Sequence, residues 1–371
     1  MARPASWLIG LAAFAGAWST APAADPTSTY LFNDSHFHLT NYIQRGLTVR
    51  QYLAIMGTTV KRSTVFGIPL QQAWSYGNSG DFAPTYYLQT DAPLYYYSFT
   101  DAVIAKAYLS LSPEQRDRLD PMITGFNPAD MYGVDHIRRV LETFPGVFTG
   151  VGEFSIHKEF VSAKIPGETA SLTNPALDRI LDFAGEAGLV VILHCDIDMP
   201  FTKGNGLPIY FTQMRDLVAR HPKTSIIWAH TGLGRVVQPI VAQASASGSA
   251  AMRPMGHLEL IASLLEDPRF ANLSFDISWD EVAKYAVSSP DSIARVANLL
   301  DRFPDRFLFG TDNVAPPDLK SDMHVYEMWQ PVFARIKPAT RQAVTMGNYE
   351  RLFDAARTRV RAWEQANVKP D

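Results

Sequence analysis

Short β-branched or aromatic runs recur along the chain, and most are separated by segments whose apolar residues return at helical spacing. Read as strands, the runs predict eight, at residues 30–35, 58–66, 122–126, 147–154, 189–194, 225–229, 273–277 and 306–310. The amphipathic segments predict helices at 48–56, 134–143, 175–187, 210–220, 256–266 and 291–303. One carries its own start signal, Asn174 as an N-cap followed by Pro175 in the first turn. Such alternation builds βα units around a parallel sheet, and eight of them predict an α/β fold, a (β/α)8 TIM barrel whose usual core is roughly 250 residues.

The pattern breaks in three places. After the second strand, residues 67–120 are too long for a simple connection and rich in rings: Trp74, Tyr76, Tyr86, Tyr87, Tyr95, Tyr96, Tyr97 and Phe99. An insertion at the C-terminal face of a barrel is where a substrate-covering lid would sit, although most of these rings are expected to pack a small core of their own. Residues 242–255, rich in Ala, Ser and Gly, read as a loop. Residues 1–24 read as a secretory signal peptide: Arg3, an apolar run from Trp7 to Trp18, then Ala21-Pro22-Ala23 as a small-residue cleavage site. That run is shorter than the roughly 20 residues of a spanning helix, so export to the periplasm or beyond is expected, with no stable membrane span. The remainder, 25–371, is expected to be a single domain.

Composition narrows the chemistry. Hydrophobic residues are 47% and charged residues 19%, which excludes a disordered chain. A net charge of -4 gives no bias toward nucleic acid. The expected partner is a small-molecule substrate, and a homo-oligomer is compatible with the sequence. A single cysteine, Cys195, excludes an intramolecular disulfide and a thiolate-built zinc site, so imidazole and carboxylate must hold any metal.

Those groups stand at the predicted strand ends. In Asp34-Ser35-His36-Phe37-His38, extended backbone puts both imidazoles on one side. His194 closes the fifth strand, His230 the sixth and Asp312 the eighth, while Glu153 lies late in the fourth. A polar residue closing an apolar run is ordinary by itself. All five closures supply imidazole or carboxylate, and a parallel barrel brings those ends to one face.

This ordered set, Asp-x-His-x-His, Glu, His, His and Asp, resembles the amidohydrolase superfamily, and within it the amidohydrolase-related family of hydrolases, lactonases and non-oxidative decarboxylases. The closing Asn348-Tyr349-Glu350-Arg351-Leu352-Phe353 is similar to an Asn-x-x-Arg-Leu-Phe element that follows the barrel in that family. The resemblance implies His36, His38 and His194 as ligands of a divalent metal, zinc first, which activates water at neutral pH. It implies Asp312 as ligand or general base beside it. His230 would polarise substrate, move protons or hold a second ion, and Glu153 would bridge two ions if two are present. One ion is expected ahead of two.

Other polar residues have a functional and a bland reading. His157, Lys158 and Glu159 would orient a polar substrate or simply begin a charged loop. Arg235 would bind a substrate carboxylate or pair on the surface. Asp196 and Asp198 would fix a ligand imidazole or be solvated acids. Cys195 is turned away from the mouth by strand alternation, and His136, His221, His257 and His324 read as structural. The leading reading is a metal-dependent hydrolase that cleaves an amide, lactone or ester with metal-activated water. The alternatives are a metal-dependent non-oxidative decarboxylase of an unsaturated or aromatic acid, and a non-catalytic binding protein.

Overall fold

Strand alternation sorts the apolar side chains into two layers. The structure, a computed structural model, describes residues 30–40, 45–67, 81, 96–158, 171–197, 207–234, 240–241 and 254–369. Its strands are β1 (Phe32–Asp34), β2 (Phe37–His38), β3 (Val60–Val65), β4 (Leu119–Ile123), β5 (Gly150–His157), β6 (Val190–Cys195), β7 (Ser225–Trp228), β8 (Ile240–Val241), β9 (Pro254–Met255), β10 (Leu273–Asp276), β11 (Phe307–Leu308) and β12 (Asn313–Val314). Eight of them form one parallel sheet in the order β1-β3-β4-β5-β6-β7-β10-β11. The ends join through parallel pairing of β12 with β2 and a bond from Ser35 N–H to the Phe309 carbonyl (3.0 Å), which closes the barrel. In β6, Val190 and Ile192 face the barrel interior with Met122, Ile227 and Leu308, whereas Val191, Leu193 and Cys195 pack outward under the helices. Cys195 is thus a buried packing residue, as alternation predicts.

The predicted helices form within a residue or so of expectation, at Val49–Met56, Gly133–Thr143, Pro175–Ala187, Ile209–Arg220, His257–Leu265 and Pro290–Arg302. Thr48 and Gln51 close a capping box on the first, and Asn174 caps the Pro175 helix through the Ala176 N–H. The final helix, Asn348–Asn367, plugs the barrel floor with Tyr349, Phe353 and Ala356. The Asn-x-x-Arg-Leu-Phe element has a mechanical meaning here. Asn348 Nδ2 donates to the carbonyls of Pro304 (2.7 Å) and Phe307 (2.8 Å), and Arg351 donates to that of Asp305 (2.7 Å).

One expectation needs correction. The third strand runs over Leu119–Ile123 rather than 122–126, because Asp120-Pro121, which reads as a turn, lies inside it. The described part of the 67–120 stretch is in good part an ordinary connection, with helices at Thr100–Leu109 and Pro113–Arg116. Of its rings, Tyr96 and Phe99 are exposed rather than packed. Trp74, Tyr76, Tyr86, Tyr87 and Tyr95, the loop core at 242–253 and the signal segment 1–24 lie outside the described residues.

Candidate metal centre

Each candidate side chain reaches the barrel mouth by a different local device. His36 follows β1 and His38 ends β2, and both are buried. Asp34 ties this segment to the eighth-strand end: its Oδ1 accepts from the N–H of His36 (3.0 Å) and of Thr311 (2.9 Å), and its Oδ2 from the Thr311 hydroxyl (2.6 Å). Gly310 packs against His36 so closely that a Cβ there would lie 2.8 Å from the His36 Cβ.

Glu153 is aimed by a bulge. Val151 and Phe154 both pack outward although three residues apart, and the pairing of β5 with β6 shifts register between them. Gly152 supplies the extra residue, at φ +106°, where a Cβ would come within 2.1 Å of the Ile192 carbonyl oxygen. The shift in phase turns Glu153 into the mouth. His230 and Asp312 follow their strands in left-handed backbone, at φ 55° and 56°. For non-glycine residues such conformations cost on the order of 1–3 kcal/mol each and persist where surrounding bonds hold them. Here the His230 N–H donates to Asp276 Oδ1 (2.8 Å) and the Asp312 N–H to the His36 carbonyl (2.7 Å).

Two donor groups meet at His36, one of His36, His38 and Asp312 and one of His36, Glu153 and His230, each with its ligand atoms within 4.8 Å of one another. His36 Nε2 lies 3.3 Å from Asp312 Oδ1 and 3.6 Å from Glu153 Oε2. His38 Nε2 lies 3.1 Å and 3.4 Å from the same two oxygens. Donors about an ion at about 2.0–2.1 Å stand roughly 3.3 Å apart in a tetrahedron, and the imidazole–carboxylate distances here are of that size. His38 Nδ1 donates to the Gly67 carbonyl (3.0 Å), which aims Nε2 at Asp312 Oδ1 in the cavity (3.1 Å). The Nε2 atoms of His36 and His230 are buried with no hydrogen-bond partner, a costly arrangement that a bound cation or a substrate group relieves.

The opposite face of Glu153 meets the other two histidines. Its Oε1 lies 2.6 Å from His194 Nδ1 and 3.6 Å from His230 Nε2. His194 Nε2 is held by Asp196 Oδ1 at 2.9 Å, so both its ring nitrogens face carboxylates and it meets the cavity across Glu153. His230 Nδ1 contacts Ser278 Oγ (2.9 Å), and its Nε2 stands 3.8 Å from Asp312 Oδ2.

Burial and charge divide the protonation states. Burial opposes charge on His36, but Asp276 and Asp312 outweigh it and hold its pKa well above the ordinary value. Burial and Lys158 oppose charge on His194, and Asp196 and Glu153 still raise it. On His230 burial wins, with His194 and His36 adding to it, so its pKa is lowered and the ring is neutral at pH 7. Burial would raise Glu153 and Asp312, yet the surrounding imidazoles carry both below the usual carboxylate range.

Sequence reasoning missed Asp276 and Ser278, which contact His36 and His230. The signal was present, since Leu273-Ser274-Phe275-Asp276 is another apolar strand closed by a carboxylate. It also missed Trp279, whose ring lies 5.2 Å from that of His230 and carries the Lys158 ammonium 5.1 Å from its centroid. His157 stacks on Tyr210 at 4.0 Å. Glu159, Asp198 and Arg235 lie outside the described residues. His136 contacts Asp101, His221 joins Asp178 and Asp182, His257 donates to the Thr231 carbonyl and His324 lies at the surface, and none of them is among the candidate metal donors.

Residues 82–355 match the protein family described as Amidohydrolase. No curated protein matches the chain. Among solved structures, a protein of Agrobacterium tumefaciens in its apo form is similar at 16% identity and TM-score 0.51, over 90% of this chain and 98% of that one. The 2,6-dihydroxybenzoate decarboxylase from Rhizobium is similar at 13% identity and TM-score 0.50, over 88% and 98%. A Burkholderia multivorans amidohydrolase with bound zinc is similar at 15% identity and TM-score 0.49, over 87% and 99%. At these identities the likeness speaks for the barrel alone.

Proposed function

The chain belongs to the amidohydrolase family, and from that premise we propose that it is an exported metal-dependent hydrolase that cleaves an amide, lactone or ester bond in a small molecule. The observation that carries the reading is the donor group of His36, His38 and Asp312, whose ligand atoms lie within 4.8 Å of one another, with Asp312 Oδ1 3.1–3.3 Å and Glu153 Oε2 3.4–3.6 Å from the two Nε2 atoms. His36, His38 and Glu153 would hold the ion with Asp312 beside them, and His194 Nδ1 is the next donor, behind the other oxygen of Glu153. When bound, the ion supplies Lewis acidity, polarising the scissile carbonyl and lowering the pKa of water toward neutrality.

The protein side chains handle the protons. A catalytic site keeps one position open for water or substrate, so one of the two carboxylates serves the proton rather than the cation. Asp312 suits that role, because its side chain is 10% exposed at the rim against 5% for Glu153, it is ionised, and its Oδ2 faces the neutral His230. It takes the proton of the attacking water and returns it to the leaving group, while His230 Nε2 stands as the second proton acceptor. Glu153, gripped by His194, keeps its charge against the cation. Among the described residues no helix is long and apolar enough to cross a membrane.

The test compares chelator-stripped protein with zinc- or manganese-loaded protein on a panel of amides, lactones and esters. Metal should restore turnover, and Asp312→Asn should lower kcat by about 10²–10⁴-fold. Equal inactivity of loaded and stripped protein across the panel would overturn the reading. The Lys158 ammonium over Trp279, beside His230, favours a carboxylate in the substrate and so keeps the decarboxylase as the second reading. Release of carbon dioxide from unsaturated or aromatic acids, with no hydrolysis of the panel, would establish it.

A further inference from the structure

The Asp276 carboxylate, fully buried at the end of β10, is shared by the two histidines whose Nε2 atoms have no partner. Its Oδ2 lies 2.9 Å from His36 Nδ1. Its Oδ1 accepts the backbone N–H of His230 (2.8 Å) and of Ser278 (3.2 Å), and it also contacts the Ser278 hydroxyl. A backbone N–H can only donate, so Oδ1 is an acceptor and the proton in its contact with Ser278 is the hydroxyl's own. Ser278 Oγ then has only lone pairs to offer His230 Nδ1, 2.9 Å away, and Nδ1 must carry the ring proton. In a neutral imidazole the other nitrogen is then an acceptor.

We propose that Asp276 and Ser278 are positioning residues that fix His230 as the Nδ1–H tautomer and orient His36 through its Nδ1–H, so that one carboxylate aims two Nε2 atoms into the site. In that tautomer His230 presents Nε2 to the site as a hydrogen-bond acceptor rather than a donor. The bond from the His230 N–H to the same oxygen holds the left-handed turn that points the ring, so orientation and tautomer come from one group. The two contacts on His230 act on different parts of it. Asp276 sets the backbone, and Ser278 passes the carboxylate's acceptor character on to the ring.

The proposal rests on the reading of His230 as a participant in turnover, but its primary test needs no substrate. Nuclear magnetic resonance of protein labelled with 15N-histidine separates ring nitrogens that carry a proton from those that carry a lone pair, and the His230 signals are those lost in His230→Gln. The wild type should show His230 protonated at Nδ1. Ser278→Ala should move it toward the Nε2–H form and lower kcat on a panel substrate by about 10–100-fold with KM little changed. Ser278→Thr, which keeps a hydroxyl, should restore both. A wild-type His230 protonated at Nε2 overturns the proposal whether or not Ser278→Ala folds, and so does an unchanged tautomer in a folded Ser278→Ala. A correct tautomer in a protein inactive on the whole panel would sink the hydrolase reading and leave this one standing.

Discussion

At the barrel floor, Asp120 is completely buried, and each of its neighbours is a donor: Arg62 Nη2 at 2.9 Å, Arg357 Nε at 2.6 Å and the Tyr349 hydroxyl at 2.7 Å. Arg62 also lies over the Tyr349 ring at 5.3 Å and pairs with Asp354. At the mouth, Glu153 and Asp312 are surrounded by imidazoles, two of which keep an unpartnered buried nitrogen, and the backbone at His230 and Asp312 is left-handed. Both clusters bury charge. The floor pairs its acid with groups that stay protonated and are already in place, so it is complete without a ligand. The mouth surrounds its acids with imidazoles, which can give up a proton as guanidinium groups cannot, and leaves two of their nitrogens without a partner, so strain and receptivity are stored where a ligand enters.

The sharpest way to break this contrast is to remove one acid at each end. Asp120→Ala should cost about 3–5 kcal/mol of unfolding free energy in urea titrations, because it leaves the buried Arg62 guanidinium with only the exposed Asp354 and takes the carboxylate from Arg357 and Tyr349. Asp312→Asn should cost less, about 1–3 kcal/mol, because the imidazoles around it can release their protons, which guanidinium groups cannot. Comparable losses would erase the division between a structural and a functional end.

A smaller effect probes acids that, unlike Asp120, have no cation to balance them. Behind the mouth, burial pushes Asp34 up to about 7, with Asp322 adding to it, and pushes Asp322 up to about 6. Both folded values exceed the unfolded one, so the folded chain holds protons that the unfolded chain releases, and stability falls as pH rises from about 4 to about 7. Asp322→Asn should remove its share of that loss, roughly 2–3 kcal/mol at pH 7.5. Urea midpoints at pH 4.5 and 7.5 measure it, and an unchanged slope would refute the assignment. Least of all, Tyr349→Phe should cost about 1 kcal/mol, since Arg62 and Arg357 remain on Asp120. A loss as large as that of Asp120→Ala would mean the phenol, not the arginines, holds the floor.

The chain's pattern made the barrel legible because burial on one face imposes a local period, and that period survives in sequence at β6, β7 and their helices. It failed at β4, where Asp120-Pro121 looks like a turn until arginines from β3 and the last helix neutralise the acid. The histidines and carboxylates at the strand ends were legible for the same reason, since each closes an apolar run. Their division of labour was not. In the sequence His194 looks like His36 and His38, but Asp196 and Glu153 occupy both of its ring nitrogens. Asp276 bore the signal that marked the others, yet its two histidine partners lie 240 and 46 positions away in the chain.

The sequence by itself determined the strands and helices, the parallel barrel they imply, and the supply of imidazole and carboxylate at one face, because these depend on spacing within a single segment. Only the tertiary structure decided which nitrogen points where: the bulge at Gly152 that turns Glu153 inward, the left-handed turns at His230 and Asp312, and the sharing of Asp276. Register and closure set those contacts, and both are properties of strands meeting across the whole chain.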